Sequence, residues 1–136
     1  AIFGLTRNPS QADIIKATLD SLSFQTLDLI ESMEKDSKIK IKEIRVDGGM
    51  INNNNFLQSL SNITQIRIIK PKNIETTSLG AAYLAGLNAG LIKNVNAITK
   101  FWKKSKIAKP TNNKKIIQEE IKNWKKTINN LISLNS

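Results

Sequence analysis

The sequence predicts a helix-rich α/β fold, and three features of its 136 residues carry that expectation. Segments of helical and of alternating apolar periodicity follow one another as helix, strand, helix, strand, helix, the order in which crossover helices bring strands into parallel pairing. Glycine or proline closes both strand segments. The 40% hydrophobic content is enough for a buried core and well above that of a disordered polycation, despite a formal charge of +10.

Taken in order, Phe3-Gly4-Leu5 is a short apolar entry ended by the turn chemistry of Arg7-Asn8-Pro9-Ser10. Ser10 followed three residues later by Asp13 is a capping box with a shortened carboxylate, which predicts a helix start. Ile15, Leu19, Leu22, Thr26, Leu29 and Met33 then recur at steps of four and three, one stripe on a helix of about seven turns. Ile14 and Phe24 widen that face, and Lys16, Asp20, Asp28 and Glu31 are left to water.

Lys38 to Val46 alternates apolar with charged residues and runs into Asp47-Gly48-Gly49, a strand ending in a glycine turn. Asn52 to Asn55 before Phe56, Leu57 and Leu60 predicts a short helix opened by capping side chains. Gln65 to Ile69 is a second strand, stopped by Pro71. Glu75-Thr76-Thr77 caps a third helix, rich in Ala and Gly through Gly90. A shorter segment, Ala97 to Trp102, leads to a Lys-rich loop through Pro110. A last helix over 112–134 puts Ile117, Ile121, Trp124, Ile128 and Leu131 on one face. Two strands alone make a poor sheet with both edges open, so the sheet is expected to be incomplete.

Composition removes several chemistries. With no Cys and no His, the chain makes no disulfide, no thiolate or imidazole zinc site, and neither a Cys-His nor a Ser-His-Asp pair. No stretch nears the roughly 18 apolar residues of a membrane span, and no charged-then-apolar leader opens the chain, so a soluble cytoplasmic protein is expected. The charge is lopsided: residues 1–92 hold ten basic and nine acidic side chains, and 93–136 eleven basic with only Glu119 and Glu120. Because 18 of the cations are Lys and only three are Arg, a solvated basic surface is preferred over a nucleic-acid site. The expected organisation is a core over 1–92 and a basic helical extension of the same domain over 93–136.

A strand that ends in Asp47-Gly48-Gly49 at a helix start lets backbone approach a ligand, since glycine has no Cβ and the first helical amides are unpaired. Phosphates or a purine edge suit such a place, although Asp-Gly and Gly-Gly also close ordinary turns. The small residues Gly80, Ala81, Ala82, Ala85, Gly86, Ala89 and Gly90 would let the third helix lie close to another backbone.

In combination these blocks are far more specific. Phe3-Gly4-Leu5-Thr6-Arg7, then Val46-Asp47-Gly48-Gly49 leading to Asn53-Asn54, then Glu75 to Leu87 with Gly80-Ala81-Ala82-Tyr83-Leu84-Ala85-Gly86 at its centre, occur in the order and spacing of one family. The chain closely resembles the C-terminal part of the glycerol kinases within the FGGY carbohydrate kinases, most strongly from Ile2 to Gly90. The resemblance implies part of a ribonuclease H-like domain of the actin and hexokinase superfamily, with its first strands missing. It also implies ATP-dependent phosphorylation of glycerol to glycerol 3-phosphate, with ADP as product and Mg2+ in the complete enzyme. Carried over from the family, Gly49 and Asn53 contact the adenosine portion, and Gly48 shapes the turn. Asp47 supports that turn and is not catalytic. The four asparagines depart from the family's usual pair: counting from Gly49 selects Asn53, anchoring on Phe56 selects Asn54, and counting on to Pro71 favours Asn53.

In this family the aspartate base, the phosphate-binding turns and the glycerol-holding residues lie upstream of the equivalent of Ala1. The resemblance therefore implies a chain inactive alone: a fragment, one piece of a split enzyme completed by an N-terminal kinase half, or a remnant. Another FGGY sugar kinase, acting on xylulose or gluconate, and a basic module binding RNA or an anionic surface are the competing readings.

Overall fold

A computed structural model describes residues 1–111 and 114–134. Helix α1 spans Gln11–Ser37, strand β1 Glu43–Arg45, helix α2 Asn54–Thr64, strand β2 Arg67–Pro71, helix α3 Thr76–Asn88, the short helix α4 Val95–Ile98, strand β3 Lys104–Ala108 and helix α5 Lys114–Ser133. A single 3-10 turn, Gly49–Asn52, precedes α2.

α1 begins where the capping box places it: the Ser10 hydroxyl accepts from the Asp13 amide at 3.2 Å, and the Asp13 carboxylate accepts from the Ser10 amide at 3.0 Å. It ends at Lys38, which adopts the left-handed region at φ 59°. That left-handed residue breaks the chain direction, so only Glu43–Arg45 of the expected Lys38 to Val46 strand is strand.

The buried face of α1 is turned by about one residue from the expected stripe. Ser23, Leu27 and Ile30 are buried, whereas Ile14, Ile15, Leu29 and Met33 stay exposed. The cause is the close crossing with α2, which requires a small side chain. Ser23 is 0% exposed and lies beside Ser59, whose hydroxyl donates to the Asp20 carboxylate at 2.5 Å. Asp20 and Asp28, expected in water, are thus cross-helix acceptors. Asp28 receives the Trp124 indole N–H at 2.8 Å, and Trp124 stacks on Phe24 with ring centroids 5.2 Å apart. α5 presents Ile117, Ile121, Trp124, Ile128 and Leu131 inward, as its spacing predicts; the expected start at Asn112 lies outside the described residues.

Among the described residues the sheet has three strands, in the order β1-β2-β3. β1 and β2 are parallel, joined through α2, with Ile44 opposite Ile68. β3 runs antiparallel to β2, with Ile68 opposite Ala108 and a register irregularity at Lys70/Pro71. This corrects the expected Lys-rich loop, whereas the expectation of two open edges holds among the described residues, with β3 in place of β2 as one of them. β3 shields one edge of β2, and β1 has no strand on its outer side among the described residues.

The core gathers under α2. Ile51, Phe56, Leu57, Leu60, Ile68 and Ala108 form one buried cluster, with Leu19, Leu22, Ile44, Val46 and Ile74 packed against it. Polar groups inside are satisfied: Ser61 donates to the Ile66 carbonyl at 2.8 Å, and Asn62 accepts from the Thr111 amide at 2.9 Å. The latter bond ties the chain after β3 to α2.

Three carboxylates are held below their ordinary range: Asp13 by the Ser10 hydroxyl and amide, Glu34 by Lys40 and the Ile41 amide, Glu43 by Arg45 and then Arg67. A pKa depressed on folding contributes stability that is complete above the unfolded value and is lost as pH falls through the folded one. The melting temperature is therefore expected to drop on acidification through and below the usual carboxylate range, and to drop less in Asp13→Asn/Glu34→Gln. Equal pH slopes for the two proteins would refute this attribution.

Candidate functional site

β1 and β2 bring their C-terminal ends side by side, and the chain leaving β1 forms the candidate site. The Val46 amide still pairs with the Ile69 carbonyl at 3.2 Å, and the next three residues turn away. Gly48 stands at φ 86° and ψ 176°, a conformation in practice restricted to glycine. Gly49 follows as the first residue of the 3-10 turn, without positive φ, and a Cβ built on it meets nothing within 4 Å. The two glycines therefore do different work: Gly48 makes the turn, and Gly49 keeps its outer surface bare. Ile51, 2% exposed, anchors the far side of the turn in the core, a role the sequence reading did not assign.

Asp47 pins the turn from outside by accepting from the Thr76 hydroxyl. Thr76 is the first residue of α3, so this bond joins the exit of β1 to the start of the third helix. The expected cap by Glu75-Thr76-Thr77 is corrected accordingly. α3 starts in the expected place with Glu75 at the N-cap position, but no side chain caps its amides, and Thr76 is committed to Asp47.

The asparagine tract divides by the register of the sheet. Lys70 and Lys106 face each other across β2 and β3, a like-charge pairing that would repel. They splay apart, Lys70 donating to Asn52 Oδ1 and Lys106 to Asn54 Oδ1, each at 2.8 Å. Asn53, between them, is the N-cap of α2: its Oδ1 accepts from the amides of Asn55 at 3.0 Å and Phe56 at 3.2 Å. Capping uses the oxygen of Asn53 and leaves its Nδ2 as a donor at an exposed position beside Gly49. Gly48, Gly49, Asn53 and Asn54 thus lie on one continuous turn. Thr76, Lys70 and Lys106 are the neighbours that sequence spacing could not identify, because they arrive from other elements.

Among the described residues no group of three or more acidic side chains stands close enough together to hold a metal ion. No helix among the described residues is long and apolar enough to cross a membrane.

The small-residue stripe of α3 is mostly open. Gly86 is the exception: a Cβ there would sit 3.0 Å from the Ile92 side chain, so this glycine admits the chain folding back after the helix. Ala81, Ala82 and Ala85 remain exposed, which corrects the expectation that the whole stripe packs on another backbone.

Residues 1–89 match the FGGY family of carbohydrate kinases, C-terminal domain. The chain belongs to this family. The FGGY match includes the N-terminal segment, α1, the glycine turn and α3, and ends one residue after α3. Similarity to individual FGGY kinases extends further along the chain. A protein named glycerol kinase from Alkaliphilus metalliredigens (strain QYMF) is 40% identical over 129 residues, which is 95% of this chain and 26% of that protein. One of the same name from Bacillus cereus (strain Q1) is 44% identical over 128 residues, 94% of this chain and 26% of that protein. Among solved structures, the crystal structure of Plasmodium falciparum glycerol kinase with ADP superposes with a TM-score of 0.83 at 29% identity, over 96% of this chain and 26% of that one. The chain thus spans about a quarter of the length of the FGGY relatives it matches.

Proposed function

We propose that this chain is the nucleotide-binding C-terminal portion of an ATP-dependent glycerol kinase, with the Gly48-Gly49 turn against the adenosine of ATP or ADP. One observation carries the reading: 40 to 44% identity to proteins named glycerol kinase runs over nearly the whole chain, through the turn and the helix it caps. Gly49 offers bare backbone to the flat face of the adenine, and Asn53 offers its Nδ2 to the base edge or the sugar. Gly48 sets the direction of both. Counting four residues on from Gly49 selects Asn53 over Asn54 as the contact, and Asn53 is the N-cap of α2.

Phosphoryl transfer from ATP to a glycerol hydroxyl needs a base to take the hydroxyl proton and a cradle for the transferring phosphoryl group. In this proposal both come from an N-terminal kinase half, as does the glycerol pocket, and the chain alone turns over negligibly. Residues 1–92 carry the turn and residues 93–136 a basic extension of the same domain, in a cytoplasmic enzyme.

Calorimetric titration with ADP tests the reading. Binding is expected to be saturable and to weaken about tenfold or more in both Gly49→Val and Asn53→Asp. The second substitution retains a capping oxygen and removes the amide donor, so its urea midpoint should stay near that of the parent chain. Asn54→Ala should bind as the parent does. Absence of ADP binding, or binding indifferent to both substitutions, would sink the proposal.

A further inference from the structure

The sheet has a second face, away from α1 and α2. Side chains alternate along a strand, so the inward Ile44 and Val46 of β1 turn Arg45 to that other side. There an open cleft of about 890 Å3 lies between the strand ends, α3 and the segment around α4. Its size is that of small-molecule sites.

Three aromatic and three cationic residues define its chemistry. Tyr83 and Phe101 stack with ring centroids 5.8 Å apart, and Arg45 lies over the Trp102 ring, 4.4 Å from its centroid. That stacking holds the guanidinium along the wall of the cleft and leaves donors at its edge for an anion. Arg45 also donates to Glu43, which it shares with Arg67, so one carboxylate serves two guanidinium groups. Lys72 and Lys103 supply two further cations, brought together by the 2.7 Å bond from the Lys72 amide to the Lys103 carbonyl. Among the described residues no carboxylate lines the cleft.

We infer that this cleft binds a small organic anion with a flat aromatic body, its ring against Tyr83, Phe101 and Trp102 and its charge toward Arg45, Lys72 and Lys103. Sulfonate, carboxylate and phosphate share the required chemistry. The site is separate from the turn proposed for adenosine and independent of that reading. The two regions nevertheless share Thr76, which lines the cleft and donates to Asp47.

The probes are 1-anilinonaphthalene-8-sulfonate and its uncharged analogue N-phenyl-1-naphthylamine, titrated by fluorescence against the full chain. The sulfonate should bind one to one, with an affinity about tenfold or more above that of the neutral amine, and that preference should shrink as salt is raised. Arg45→Gln should lower sulfonate affinity about tenfold and leave the neutral amine unchanged. Gly80 lines the cleft and a Cβ there meets nothing within 4 Å, so Gly80→Leu fills the space while replacing a helix-weakening glycine. It should abolish binding of both probes with helicity retained by circular dichroism. Should Gly80→Leu lose helicity, the Arg45→Gln comparison decides alone. Equal affinity for the two probes, no binding of the sulfonate, unchanged sulfonate affinity in Arg45→Gln, or unchanged sulfonate affinity in a folded Gly80→Leu would overturn the inference.

Discussion

Replacing Ile68 with alanine is expected to lower the unfolding free energy by about 3 to 4 kcal/mol, within the range seen when a fully enclosed aliphatic side chain is truncated. Ile68 is 0% exposed and sits on the central strand, opposite Ile44 on one side and Ala108 on the other. It belongs to the cluster that includes Leu57 and Phe56, so truncation opens a void beneath α2 with rigid strands on both flanks. Total stabilities of small domains are about 5 to 15 kcal/mol, which makes the substitution a large fraction of the whole. Urea unfolding followed by circular dichroism measures it. Leu84→Ala, at a position 69% exposed on α3, is the comparison and should change stability by no more than about 0.5 kcal/mol. A loss below about 1.5 kcal/mol at Ile68 would mean that the region collapses around the missing atoms and is not the rigid centre described.

Gly48→Ala and Gly49→Ala form the second decisive pair, differing only in which of two adjacent glycines gains a methyl group. Neither Cβ meets an atom within 4 Å, so crowding predicts no difference. Backbone conformation predicts a large one. At φ 86° and ψ 176° an L-residue is strained, and Gly48→Ala is expected to cost about 1 to 3 kcal/mol or to force the turn into another path. A re-routed turn would move Asp47 away from Thr76 and displace the start of α2. Gly49→Ala, inside the 3-10 turn, should be close to neutral, because alanine there mainly reduces the freedom of the unfolded chain. Comparable destabilisation by both would show that the turn is limited by space and not by conformation.

Much of this fold is legible in the sequence wherever one element decides its own structure. The capping box at Ser10 and Asp13 acts within four residues, and the α5 stripe from Ile117 to Leu131 is a single helical period. The parallel pair β1 and β2 follows from strand, helix and strand in succession. What escapes is decided by neighbours. β3 reads as a loop because Lys104 and Lys106 stay exposed and only Ile107 and Ala108 reach inward, so its apolar content is too small to announce a strand. Its existence depends on β2 offering a free edge. Asp28 looks solvated by its position on α1 until Trp124 arrives from 96 residues away. The turn itself is plain in Asp47-Gly48-Gly49, but the pairing of Lys70 with Asn52 and of Lys106 with Asn54 depends on a strand register that no spacing encodes.

The outer side of β1 has a consequence for how copies of the chain meet. An unpaired strand is ordinarily a template on which identical strands stack. Here it is three residues long, carries Glu43 and Arg45, and follows Lys38, Lys40 and Lys42 within five residues. Two copies aligned along this edge in parallel register would set like ammonium groups side by side, at a spacing where such pairs repel. The sheet can therefore stay open on that side without inviting its own kind, a protection against filament growth written in charge.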